Sequence, residues 1–228
     1  MLSSHDITFV NSKFQHLGAY AAGARDGSRN VIWRGCNFDD ISSGALTLGD
    51  VTTADELDER SWDQNFQIVD CQILGTGKEY TGASGLFAGY VGNMTIAHNL
   101  FKNQTYTAIA IGWGWGREAA RGRGGNRVIA NRIETPLQVR CCDGGAIYTL
   151  GPQPGSIIQG NYIYQQLDHS GRWPAGEQWR HGACVYHGES SLCADLPSAA
   201  IDVNRYRITY LRHTFDQVAP LTQSDVLR

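Results

Sequence analysis

Two carboxylates stand where this chain could do hydrolytic chemistry. Asp143 lies in CCDGGAIY, directly before Gly144 and Gly145 and the strand they introduce. Glycines beside an acid let backbone or substrate come close, and a carboxyl at the floor of a groove can have its pKa raised enough to act as a proton donor. The alternative is an Asp that bonds its own backbone to cap the turn. Cleavage of a glycosidic bond needs a second carboxylate roughly 5 to 9.5 Å away. Glu189, in HGACVYHGESS, is the partner this reading supplies, with His187 beside it. GWGWG sets Trp113 and Trp115 two residues apart, hence on one side of an extended chain. With Tyr106 close by, they could form an apolar platform for the CH faces of a sugar, or pack beneath the Arg117 to Gly125 loop. Tyr148, in the strand that follows Asp143, joins Tyr106, Trp113, Trp115 and His187 as a candidate substrate-binding residue.

The other reactive residues read more plainly. His98 in IAHN is a structural histidine or a group at a groove edge, and Asp168 and His169 sit in a solvated loop. The six cysteines, Cys36, Cys71, Cys141, Cys142, Cys184 and Cys193, follow none of the CxxC or His spacings of a zinc site. No metal and no cofactor is expected. Asn93 and Asn103 match the glycosylation sequon formally. Lys and Arg number 19 against 22 Asp and Glu, which favours neither nucleic acid nor an anionic membrane as partner. No run of about 18 apolar residues suggests a membrane span, and MLSSHDITF lacks the pattern of a secretory signal. An oligo- or polysaccharide is the expected ligand.

The elements that must position these residues announce themselves as a repeat. DITFVNSKF, NVIWRGCNF, NFQIVDCQI, NMTIAHNLF, GNRVIANRI and GSIIQGNYI begin 24, 35, 28, 32 and 30 residues apart. Their fourth position reads Phe9, Trp33, Ile68, Ile96, Val128 and Ile158, and their ninth Phe14, Phe38, Ile73, Phe101, Ile133 and Ile163. The seventh reads Ser12, Cys36, Cys71, Asn99, Asn131 and Asn161, small or amide groups placed where such a strand must bend. Stacked repeats would pile these into ladders, with the amides bonded along the stack and the two thiols reduced. A second strand ends on Gly49, Gly89, Gly112, Gly151 and Gly188, where glycine supplies a positive φ or a close approach at a corner. The expected fold is all-β: a right-handed parallel β-helix, a solenoid of about six coils with two strands in each.

The ends differ from the middle. The first coil begins within a few residues of Met1, and no glycine follows Gly188 although the sequence holds 27. The division expected is residues 1–191 as β-helix and 192–228 as an atypical C-terminal tail in which IDVNRYRITYLRHTF could make one strand, the whole being a fragment of something longer.

GLFAGYVGNMTIAHNLFKNQTYTAIAIGWGWG and DGGAIYTLGPQPGSIIQGNYIY resemble the right-handed β-helix glycoside hydrolases that include α-L-fucosidases and xylanases. The likeness runs from about Phe14 to Tyr164. It implies Asp143 as one member of a catalytic acid pair. The family pattern at the second member is Tyr, any residue, Asp, Glu, Gly, Ser, whereas this chain reads Tyr186, His187, Gly188, Glu189, Ser190. The family's aspartate is absent. Its members are much longer and commonly extracellular or periplasmic. The leading function is hydrolysis of a plant-type or fucosylated glycan by Asp143 and Glu189. The alternatives are a non-catalytic carbohydrate-binding protein, for which Gly188 speaks, and a polysaccharide lyase drawing on Arg140, Arg117, Arg121 and Arg123.

Overall fold

A computed structural model describes residues 1–51, 58–113, 124–136, 144–151 and 153–165, together with the strands at 183–187, 208–211 and 214–217. Each sequence repeat lays down strands in the same order. The first supplies β1 (His5–Val10), β2 (Lys13–Leu17) and β3 (Ala22–Ala24), and the second β4 (Arg29–Arg34), β5 (Asn37–Ile41) and β6 (Leu46–Leu48). The third supplies β7 (Asp63–Gln64), β8 (Gln67–Val69), β9 (Gln72–Thr76) and β10 (Leu86–Ala88). The fourth adds β11 (Val91–Gly92), β12 (Thr95–Ala97), β13 (Leu100–Lys102) and β14 (Ile109–Ile111). Then come β15 (Arg127–Ile129), β16 (Arg132–Glu134), β17 (Gly145–Thr149), β18 (Ser156–Gln159), β19 (Tyr162–Gln165) and β20 (Ala183–His187). Within the expected tail, β21 (Ile208–Leu211) and β22 (Thr214–Gln217) pair in parallel with β18 and β19.

These strands form three separate parallel sheets of nine, seven and six strands. That corrects the expected right-handed β-helix repeat with two strands in each of about six coils. The nine-residue phrase is not one bent strand. Its sixth position, filled by Asn11, Gly35, Asp70, His98, Ala130 and Gly160, takes a positive φ in every repeat. The chain turns there, so the first half of the phrase enters the nine-stranded sheet and the second half the seven-stranded sheet. The six-stranded sheet is built from β3 and the five strands that precede the corner glycines. Among the described residues there is no α-helix, only a short 3-10 turn at Glu59–Ser61.

The register explains the core. Phe9, Trp33, Ile68, Ile96, Val128 and Ile158 lie beside one another across the nine-stranded sheet, and Phe14 to Ile163 do the same across the seven-stranded one. Trp33 and Phe38 are fully buried, each stacked nearly parallel on the ring before it, Phe9 at 5.8 Å and Phe14 at 4.7 Å. Beside them runs the seventh-position ladder. The Asn131 amide donates to the carbonyl of Ile96 and to Asn161 Oδ1, both at 2.9 Å, while its own oxygen accepts from the backbone and side-chain nitrogens of Asn99. Asn99 Oδ1 in turn accepts from the Cys71 backbone, and the Cys71 and Cys36 thiols donate to the carbonyls of Trp33 and Phe9. Both cysteines are free and buried. Burial pushes the Cys71 thiol up to about 12.

Candidate functional site

The outer face of the six-stranded sheet carries a cavity of about 500 Å³, inside the range of roughly 300–1,000 Å³ typical of ligand pockets. Alternation along the strands makes its floor. Leu86 and Ala88, Ile109 and Ile111, and Ile147 and Thr149 point inward and are buried. The residues between them, Phe87, Ala110 and Tyr148, are register partners across β10, β14 and β17 and face the cavity. Because all strands of the sheet are parallel, the two rims are made by different ends. Tyr20, Gly82 to Ser84 and Tyr106 precede the strands and form one rim; Val51, Trp113 and Leu150 follow them and form the other. The Phe87 and Trp113 rings meet in a T-shaped contact, centroids 5.7 Å apart and planes at 82°, which holds the indole beside the floor.

Gly112 is what lets Trp113 reach this place. Its φ is +90°, and a Cβ there would stand 1.8 Å from the Leu150 carbonyl oxygen, so only glycine can bring β14 out of the sheet so close to the end of β17. Gly49 and Gly151 also take positive φ, at +70° and +65°, while Gly89 is held by close approach to the Asp50 carbonyl. The corner glycines thus serve as the sequence suggested at these four positions. Gly188 lies outside the described residues.

Of the seven candidate site residues, the structure brings Tyr106, Trp113 and Tyr148 into this one cavity. Asp143, Glu189 and Trp115 lie outside the described residues, and of His187 only the backbone is described. Gly145 pairs with Ala183 and Thr149 with His187 in parallel. Arg117, Arg121, Arg123, Arg140, Asp168 and His169 are likewise outside the described residues. His98 is exposed, away from the cavity, with Nδ1 3.7 Å from Asp70 Oδ1.

Sequence reading missed Phe87, Ala110 and Tyr20. The alternation of GLFAG and AIAIG could have singled out Phe87 and Ala110 as outward neighbours once the strands were stacked. Tyr20 carried no comparable signal. It also missed Asp63, which is 4% exposed and accepts the Ser28 backbone N–H at 2.9 Å. Burial raises its carboxyl to about 7. A second cavity of about 420 Å³ on the seven-stranded sheet is polar, with Lys78 and Lys102 at its edge. Both lysines are already engaged, with Asp40 at 3.7 Å and Glu134 at 3.0 Å. Among the described residues no cluster of His, Cys, Asp and Glu could hold a metal ion, and no helix is long and apolar enough to cross a membrane.

No protein-family profile matches this chain, and no curated protein does. A solved structure described as a glycoside hydrolase is similar to it, with 25% sequence identity and a TM-score of 0.69 over 93% of this chain. The chain spans 35% of the length of that structure. It has a glycoside hydrolase-like fold.

Proposed function

We propose that the outer face of the six-stranded sheet binds a carbohydrate, and that the chain is the sugar-binding part of a glycoside hydrolase acting on a plant-type or fucosylated glycan through Asp143 and Glu189. The observation that carries this reading is the convergence of Tyr106, Trp113 and Tyr148, with Phe87, on one cavity. Aromatic faces match the apolar CH faces of sugar rings, and no described lining residue carries a charge, which suits a neutral sugar. The likeness to a glycoside hydrolase structure supports the enzyme class, and the sequence resemblance to α-L-fucosidases and xylanases supplies the candidate sugars.

In this reading one carboxyl protonates the leaving oxygen while the other activates water or captures the sugar. Asp143→Asn should remove at least about 100-fold of turnover, since general acid catalysis contributes roughly 10² to 10⁴ and an amide cannot supply the proton. Glu189→Gln should do similar damage. Release of reducing sugar from xylan and fucosylated oligosaccharides is the assay. A parent protein that releases none, yet binds them through Trp113 and Tyr148, refutes the hydrolase and leaves a carbohydrate-binding protein. That second reading is favoured by Gly188 standing where the resembling family has an aspartate.

A further inference from the structure

The floor of the cavity has an uneven profile that bears on what can enter it. Across β10, β14 and β17 the outward row reads Phe87, Ala110, Tyr148, two aromatic rings separated by a methyl group. Ala110 is 8% exposed and both rings are half-buried, so the small residue is the bottom of a notch and the rings are its sides. Strands in a sheet lie about 4.8 Å apart, which sets the two flanking residues about 9.6 Å apart. A ring held between two side walls at contact distances of about 3.5–4.0 Å accounts for about 7–8 Å of that, and the pucker of a saturated ring takes up the rest. A valine or leucine at position 110 would occupy the same space.

Tyr20, from the segment before β3, lies against Gly44, where a Cβ would come within 2.7 Å of its ring, and stands with Tyr106 at the rim where the strands begin.

We infer that Ala110 is the specificity-determining residue of this groove: it admits one ring of a neutral oligosaccharide between Phe87 and Tyr148. This rests on the carbohydrate reading above and adds which residues hold the sugar ring.

The test is a titration of intrinsic tryptophan fluorescence with xylohexaose and with 2′-fucosyllactose, using the parent chain, Ala110→Val and Ala110→Ser. Extra methyl groups in an apolar pocket cost about 10- to 200-fold, so Ala110→Val should weaken binding of whichever sugar the parent takes by at least about 10-fold. Ala110→Ser, which keeps the volume small, should stay within about 3-fold. Equal affinity of the parent and a folded Ala110→Val, checked by an unchanged melting temperature, overturns the notch while leaving the carbohydrate reading intact. Should Ala110→Val unfold, Phe87→Ala takes its place, and undiminished binding by that variant overturns the notch equally. No saturable signal from the parent with either sugar overturns the carbohydrate reading and the notch with it.

Discussion

Replacing Asn131 by alanine should be among the most costly single changes in the chain. Its side chain makes four hydrogen bonds, donating to the Ile96 carbonyl and to Asn161 Oδ1 and accepting from the Asn99 backbone and side-chain nitrogens, all between 2.9 and 3.0 Å. The residue is 1% exposed, so no water replaces them. Asn99 keeps its bond to the Ile68 carbonyl and Asn161 keeps the Asn131 backbone N–H, but the Asn99 N–H and the Ile96 carbonyl lose their side-chain partners. Four bonds at a net value of about 0.5–1.5 kcal/mol each, or two buried groups left without a partner at about 1–3 kcal/mol each, both put the loss at about 2–6 kcal/mol. For a chain of this length a drop of that size lowers the melting temperature by on the order of 5–20 °C. Ser12→Ala, at the same repeat position but half-exposed and bonded only to the Val10 carbonyl, should cost less than about 0.5 kcal/mol. Urea denaturation of the parent and both variants measures the difference. A cost below about 1 kcal/mol for Asn131→Ala would refute the view that the amide ladder, and not apolar contact alone, holds the repeats in register.

Asp63 gives the stability a pH dependence. Its folded carboxyl sits at about 7 because burial disfavours the charged form, with Asp26 and Asp50 adding repulsion, so its contribution is full below about pH 4 and is lost as pH rises through 7. At about 1.4 kcal/mol for each pH unit, Asp63→Asn, which keeps the acceptor for Ser28, should be more stable than the parent by up to about 4 kcal/mol at pH 8 and equal to it at pH 4; parallel melting curves across that range would refute this. Gly112→Ala should cost about 2–4 kcal/mol through its positive φ and the Leu150 carbonyl, and should weaken sugar binding because Trp113 moves with it; a binding curve like the parent's would refute the second part. Cys36 and Cys71 should resist iodoacetamide at pH 8 in a variant with the other four cysteines changed to serine, and react only on unfolding, as mass spectrometry of the modified peptides would show.

Much of this architecture is legible in the six repeated phrases because burial at the fourth and ninth positions is a property of residue type. Trp33 and Ile68, or Phe38 and Ile73, align in sequence and are neighbours in space. The number of sheets is less legible because it depends on backbone angles that side chains only hint at. The turn falls at the sixth position, one residue before the amides, and there glycine and aspartate alternate with His98 and Ala130, whose side chains do not advertise a left-handed φ. The same holds at Asp6, Asn30, Asn65 and Asn93, which begin the phrases with positive φ and look in sequence like ordinary surface residues. The amides at the seventh position look like turn formers and are instead the most deeply bonded polar groups of the core. The cavity was half legible. Trp113 and Tyr106 stand out by composition, but Phe87 and Ala110 acquire meaning only when β10 and β14 are set side by side.

The sequence also names where a missing carboxylate would belong, because Gly188 stands where the resembling family has its aspartate. Gly188→Asp therefore separates an enzyme in which Glu189 has taken over from a binding protein that has lost its second acid. If the position has been vacated, the substitution should raise release of reducing sugar by about 100-fold, the lower part of what one acid or base contributes. The gain should vanish in Gly188→Asn, which has the same shape and no proton to exchange, and in Gly188→Asp combined with Asp143→Asn. A Gly188→Asp protein that folds, binds sugar as the parent does and is no faster would refute the placement. If Glu189→Gln alone had meanwhile abolished a measurable parent activity, the second carboxylate of this chain would be Glu189 itself.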